Sequence, residues 1–200
     1  MSGVPTGVKG EESVARPLTD DLDLAVRLLA ATPTHEGRDP ALLRRWARAA
    51  DAFGSALEPG PPCPARIVER DDGLGQLLLA RYSSRPATVE LYTDTIDRAE
   101  TLIDELGWRS WYPVGSVRAA ALAHETAHAL LYRAENRTAF RAAIGHTALR
   151  IGRFRVLGHV AGAEEIAAHA YARTACGLGR SPLLLTVALA AAVRAPGRQR

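Results

Sequence analysis

The run from Ser116 to Glu135 constrains the fold of this chain more than any other feature of the sequence. It contains no proline or glycine, so it predicts a helix, and it carries the motif His124-Glu125-Thr126-Ala127-His128. Histidines four positions apart lie one above the other on a helix, where both imidazoles can bind a single Zn²⁺ at roughly 2.0–2.1 Å. Glu125 is turned about 100° away from that face, so it can take a proton from a water on the metal but cannot easily be a third ligand. The motif therefore predicts a zinc site with Glu125 as the general base.

The residues around the motif predict that this helix is buried. Its flanks, Ala119–Ala123 and Ala129–Leu131, are apolar on almost every side, which is typical of a core helix. Buried imidazoles and carboxylates need partners, because each unpaired polar group costs about 1–3 kcal/mol. Chance alone gives roughly 0.01 such motifs in a chain of this composition. The metal site is thus favoured over the alternative of two core histidines with ordinary hydrogen bonds.

A third protein ligand must come from elsewhere, because catalytic zinc usually has three and keeps a fourth position for water. The spacing HExxHxxGxxH is excluded, since Leu131 and Ala134 occupy the positions of its glycine and its third histidine. The segment Gly162–Thr174 is the better source, because it predicts an alanine-rich helix that could approach the motif helix closely.

Two glutamates lie at the start of that predicted helix, and Glu165 is favoured over Glu164 as the third ligand. Alanines surround Glu165, and His169 follows it by one helical turn, where it could be a polar partner. Glu164, His159 and His169 remain alternative ligands or hydrogen-bond partners of a ligand. In the opposing interpretation, the two glutamates bind no metal. Their negative charges only interact favourably with the helix dipole at the N-terminus of the helix.

The patterning along the chain predicts an α+β protein in three parts. Residues 1–17 are polar and contain glycine and proline, which predicts a disordered tail. Residues 18–64 predict a helical N-terminal segment, with one helix at Leu18–Ala31 and another beginning at Asp39-Pro40. Residues 65–195 predict the domain that carries the motif.

Within residues 65–195, short runs of β-type residues precede the motif helix and further helices follow it. The runs Ala65–Glu69, Leu74–Tyr82 and Ala87–Tyr92 predict a small, mainly antiparallel sheet. The segment Leu149–Val156 predicts either a short strand or a loop. The remaining predicted helices are Asp94–Leu106, Arg137–Gly145, Gly162–Thr174 and Leu183–Arg194.

Charge and composition argue against several classes of partner. The chain has 25 Lys and Arg against 22 Asp and Glu, and a net charge of +3 is too weak to indicate nucleic acid or a membrane surface. The only tight basic cluster near the predicted site is Arg150, Arg153 and Arg155. Cys63 and Cys176 are too few for a disulfide framework. The N-terminus lacks an apolar leader and no apolar run approaches about 18 residues, so we expect a cytoplasmic protein without a membrane partner.

The motif helix followed by a glutamate helix resembles the gluzincin metallopeptidases. The closest resemblance is to small bacterial zincins of the ImmA/IrrE-like and antirestriction (ArdC-like) kinds, which have a short sheet, an HExxH helix and then a helix of the form E-x-x-A or E-E-[LI]-x-A. The run Glu164–Ala168, followed by Cys176-Gly177-Leu178, fits that form. The resemblance covers roughly residues 74–179. It implies a zincin-like fold, Zn²⁺ as cofactor with His124, His128 and Glu165 as ligands, and Glu125 as general base.

The function implied by this resemblance is zinc-dependent hydrolysis of a peptide bond in a peptide or protein substrate. Extended substrates of zincins commonly pair with an edge strand, and Ala87–Tyr92 is the candidate here. A residue that stabilises the oxyanion is expected from a set of five: His146, His159, His169, Tyr132 and Tyr171. The main alternative is a non-catalytic zincin-fold protein with a binding or regulatory role, such as an antirestriction-like one. A structural helical protein with a fortuitous motif is the third interpretation.

Overall fold

The computed structural model describes residues 19–59 and 65–194; the predicted tail at 1–17 and Cys63 lie outside these ranges. The described chain is α+β. Its helices are α1 (Asp21–Ala30), α2 (Pro40–Ser55), α3 (Thr93–Glu105), α4 (Ser116–Leu131), α5 (Ala134–Ile144), α6 (Ala163–Ala175) and α7 (Pro182–Arg194). Its strands are β1 (Arg66–Arg70), β2 (Ala80–Ser84), β3 (Ala87–Tyr92), β4 (Thr147–Ile151) and β5 (Phe154–Leu157). None of the described helices combines the length and the apolar character that crossing a membrane requires.

The three-stranded sheet is mixed, so the prediction of a mainly antiparallel sheet holds for only one of its two strand pairs. The strand order is β1-β3-β2, with β1 parallel to β3 and β2 antiparallel to it. The short connection between β2 and β3 makes a hairpin, which requires antiparallel strands. The longer connection after β1 lets that strand join the other side of β3 in the parallel direction. As a result β3 is the central strand and β2 is an edge.

The predicted strand Leu74–Tyr82 is only partly a strand. It begins with a 3₁₀ turn at Leu74–Gln76, and Leu77 then adopts a left-handed backbone with φ 58°. This conformation is uncommon for a residue with a branched side chain, and it redirects the chain into β2. Pairing with β3 starts only at Ala80.

The motif helix α4 ends at Leu131 and not at Glu135, although the sequence between them has no helix breaker. Arg133 has an extended backbone, and α5 starts at the next residue. The Asn136 side-chain amide donates a hydrogen bond to the Leu130 carbonyl at 3.0 Å. The same carbonyl accepts the Arg133 N–H at 3.2 Å, and the two bonds close the end of α4 without glycine or proline.

The segment Leu149–Val156, predicted as a strand or a loop, forms most of the hairpin β4-β5. Arg150 and Arg155 lie opposite each other on this hairpin. The side chains of its strands are exposed to solvent for most of their length. None of the three arginines of the basic cluster lines the cavity described below.

The N-terminal helices pack against α6 and form one core with it. Trp46, Ala47 and Ala50 of α2 are fully buried in the cluster that also contains Ile166 and Ala167 of α6. Gly54 of α2 lies directly on the backbone of Ala167, where a Cβ atom would overlap the Ala167 carbonyl. The α2 helix therefore packs against the face of α6 that is opposite to α4.

We expect Gly54→Ala to destabilise the protein, because the added methyl group forces α2 away from α6. Overpacking of a tight contact typically costs about 1–3 kcal/mol. In a chain of this length, that corresponds to a melting temperature lowered by roughly 2–12 °C. Gly75→Ala is the matched control, since no atom lies within 4 Å of the position of its Cβ. Equal melting temperatures for the two variants would contradict the packing described for α2 and α6.

Candidate metal centre

Three side chains that the sequence predicts as ligands converge between α4 and α6. The Nε2 atoms of His124 and His128 are 3.1 Å apart. Glu165, in the first turn of α6, places Oε2 3.3 Å from His124 Nε2 and Oε1 3.2 Å from His128 Nε2. Among the described residues, His124, His128 and Glu165 form the group of His, Cys, Asp and Glu side chains whose donor atoms lie close enough for one ion.

The spacing of these donor atoms fits a tetrahedral metal site. With metal–ligand bonds of roughly 2.0–2.1 Å, two donors of a tetrahedron lie about 3.3–3.4 Å apart. The two histidine nitrogens are 3.1 Å apart, and a different carboxylate oxygen of Glu165 lies near each of them, at 3.3 Å from His124 and at 3.2 Å from His128. Two imidazole nitrogens and one carboxylate are also a donor set that zinc accepts in catalytic sites. The residues present therefore fit a zinc ion with one coordination position left over.

The electrostatics of the centre favour positive charge. Hydrogen bonds from His124 and His128 lower the pKa of Glu165 well below its usual range, so the carboxylate is charged at neutral pH. Burial works against protonation of His128, but its hydrogen bond to Glu165 and the charges of nearby carboxylates raise its pKa overall. A metal ion would bind the charged carboxylate of Glu165, and it would displace the proton from a protonated His128.

The close approach of α4 and α6 depends on small side chains. Ala127 on α4 and Ala168 on α6 are fully buried and pack in one cluster with Leu130 and Tyr171. Because alanine has only a methyl group, the two helix backbones come near enough for Glu165 to span the gap to α4. This is the role that the alanine-rich sequence predicts for the glutamate helix.

Two of the alternative ligands lie apart from the centre. His159 Nδ1 is 3.6 Å from Glu164 Oε1, so these two side chains face each other at the surface. Neither belongs to the group that could hold an ion. On a helix, Glu164 is turned about 100° from Glu165, so only one of the two can face α4.

His169 is a neighbour of the centre but not one of its three converging donors. Its ring centroid is 4.5 Å from that of His124, and the residue is partly buried, with its Nδ1 atom shielded from solvent. Burial and the proximity of His124 lower its pKa well below the usual value, so His169 is neutral. The sequence predicted it as a partner of Glu165, whereas its observed ring contact is with His124.

Glu125 lies at the edge strand of the sheet. Its Oε2 accepts a hydrogen bond from the backbone N–H of Tyr82 in β2 at 3.0 Å. The predicted candidate for substrate pairing, Ala87–Tyr92, is β3 and is wrong as an edge, because β1 and β2 cover both of its sides. The strand that borders the centre is β2, and nothing in its sequence distinguishes it from the other short strands.

A cavity of about 410 Å³ opens beside the centre and reaches all of its side chains. The wall away from the charged groups is mostly apolar. It is built by Val117, Ala120 and Ala121 of α4, by Leu178 and Leu185, and by the run Leu77–Leu79 before β2. The sequence did not predict that these residues share a cavity wall, because only the tertiary structure brings their distant segments together.

Tyr112 closes one side of this cavity. Its hydroxyl donates a hydrogen bond to the Ser181 carbonyl at 2.7 Å and joins the loop before α4 to the start of α7. Burial raises the pKa of Tyr112, so the phenol stays protonated. This hydrogen bond fixes the loop before α4 to the N-terminus of α7.

Of the five residues expected to include an oxyanion stabiliser, only His169 lines the cavity. His146 packs edge-on against Trp46, and Tyr171 is buried between α4 and α6. Tyr132 is 70% exposed, and His159 faces Glu164 at the surface.

Searches of protein-family models, of curated proteins and of solved structures gave no significant match to this chain.

Proposed function

We propose that this protein is a zinc-dependent hydrolase of peptide bonds, of the gluzincin type. The observation that carries the proposal is the convergence of His124, His128 and Glu165, whose possible ligand atoms lie within 4.8 Å of one another beside a cavity. A purely structural histidine pair would not need a carboxylate from another helix at the same point, nor a neighbouring glutamate at the cavity.

Different residues of the site have different roles in the proposed reaction. The chemistry that zinc supplies when bound is polarisation of the substrate carbonyl and a lowered pKa of the attacking water. His124, His128 and Glu165 would hold the ion. Glu125 takes a proton from the attacking water and returns it to the leaving amine. His169, neutral and at the cavity wall, is the candidate donor to the oxyanion.

The substrate that suits this site is an extended peptide along β2. As the edge strand beside the cavity, β2 can receive the main chain of a peptide as an added strand, through outward-facing groups other than the Tyr82 N–H that Glu125 accepts. The apolar wall formed by Val117, Leu178 and Leu185 suits an uncharged, apolar side chain of the peptide. We therefore expect the substrate to pair with β2 and not with Ala87–Tyr92.

The test is cleavage of a mixed peptide library, followed by mass spectrometry, with zinc-loaded, metal-free and zinc-reconstituted protein. We expect cleavage with zinc, none after chelation, and recovery on adding zinc back. Circular dichroism checks that each sample is folded. If folded, zinc-loaded protein cuts nothing in the library, the non-catalytic binding or regulatory role becomes the better interpretation.

A further inference from the structure

The contact between β2 and Glu125 points to a role for a main-chain group in the proposed reaction. We propose that the backbone N–H of Tyr82 is a positioning group that holds the Glu125 carboxylate for proton transfer. This inference rests on the proposed function, since it assigns a partner to the proposed general base. It concerns one hydrogen bond, 3.0 Å long, between residues 43 positions apart in the chain.

The register of the sheet explains why this particular amide is available to Glu125. Tyr92 N donates to Leu79 O, and the pairing of Arg81 with Glu90 and of Ser83 with Thr88 continues the same ladder. In an antiparallel pair, residues alternate between those that bond across the ladder and those that point away from it. The N–H of Tyr82 therefore points to the outer edge of β2, toward α4. The amides of Arg81 and Ser83 point inward to β3.

A main-chain donor suits the task of positioning better than a side chain. The Tyr82 amide is fixed by the pairing of β2 with β3 on both sides of it, so it has no rotamer freedom to lose. Glu125 has three rotatable side-chain bonds, and on α4 its carboxylate could otherwise swing away from the centre. With Oε2 held by the amide, the second carboxylate oxygen is left for the attacking water. Positioning of this kind contributes to rate without adding to substrate affinity.

The contact also bears on how a peptide would add to β2. The outward-facing donor nearest the centre is already bonded to Glu125, so a peptide that claimed it would release the base. We infer that the Tyr82 N–H keeps its hydrogen bond to Glu125 throughout the reaction. In the alternative, the Tyr82 N–H binds the substrate, and its loss would then raise KM and leave kcat unchanged.

Amide hydrogen exchange, followed by NMR, tests the contact without any need for activity. In the native protein we expect the Tyr82 amide to be protected, although it points to the sheet edge. Glu125→Ala should speed its exchange by roughly tenfold or more, because the acceptor is gone. The amides of Arg81 and Ser83 are internal controls, since their bonds go to β3. A Tyr82 amide that exchanges at the same rate in both proteins would overturn the inference, whether or not the protein cleaves peptides.

Kinetics then test what the contact does. Tyr82→Pro removes the N–H, and proline is tolerated on an edge strand where that N–H points away from the ladder. Tyr82→Ala is the matched variant, because it also loses the ring but keeps the amide. We expect kcat of Tyr82→Pro to be roughly 10–100-fold below that of Tyr82→Ala, as for a lost hydrogen bond to a charged group, with similar KM.

The outcomes separate this inference from the proposed function. A raised KM with unchanged kcat in Tyr82→Pro would mean that the substrate uses the amide, and would overturn the positioning role. If Tyr82→Pro does not fold, the exchange comparison with Glu125→Ala still decides whether the amide holds the carboxylate. A Glu125-dependent protection of Tyr82 in a protein that cleaves no peptide would contradict the proposed peptidase and leave no reaction in which the base is positioned.

Discussion

His124→Ala is expected to lower the affinity of the protein for zinc by more than about 100-fold. The estimate is a lower bound, since loss of a group that merely supports a ligand already costs roughly 10–100-fold. The structure gives the reason, because His124 Nε2 lies within 3.3 Å of both other donors and the described residues add no further donor to the group. The measurement is metal content by elemental analysis, together with a competition titration against a chelator of known affinity.

Adjacent glutamates provide the sharpest control for this prediction. Glu165→Gln should weaken zinc binding strongly, whereas Glu164→Gln should leave it nearly unchanged, because Glu164 faces His159 and not the histidines of α4. Zinc should also raise the melting temperature of native protein and Glu164→Gln, since an ion at 100 times its Kd stabilises by about 2.7 kcal/mol. A loss of zinc in Glu164→Gln with retention in Glu165→Gln would refute the assignment of the third ligand.

Glu125→Gln is expected to reduce kcat for peptide cleavage by roughly 10²–10⁴-fold, the usual effect of removing a general base. Glutamine keeps the shape of the side chain but cannot take a proton from the attacking water. Zinc content and melting temperature should stay close to those of the native protein, because Glu125 is not among the three converging donors. The side-chain carbonyl of glutamine can still accept the Tyr82 N–H, so the edge of β2 should also be unchanged.

This variant separates catalysis from metal binding. Steady-state kinetics on the best peptide from the library give kcat and KM, and elemental analysis of the same sample gives zinc content. Full activity in zinc-loaded Glu125→Gln would show that another group is the base. Loss of zinc together with activity would show that Glu125 supports the metal and would leave its role as base without support.

The secondary structure could be predicted from the sequence where the cause is local. Asp39 caps α2 by accepting the Ala41 N–H at 2.9 Å, and Pro40 follows at the first helical position, as the sequence indicates. The strand Ala87–Tyr92 has the predicted bounds. Two predictions failed because they depend on contacts between different secondary-structure elements. Whether β3 is an edge or a central strand depends on where β1 docks, and the end of α4 depends on a side-chain bond from Asn136.

The sequence by itself determined the spacing of His124 and His128 on one helix face and the position of Glu125 beside it. These follow from 3.6 residues per turn and need no other part of the chain. Only the tertiary structure decided that Glu165, and not Glu164, reaches the two histidines, because that choice depends on how α6 is rotated against α4. That rotation is set by the packing of Ala168 on α4 and of Gly54 on the other side of α6. The bond from Tyr82 to Glu125 likewise depends on the register of β2, which no local pattern in the sequence specifies.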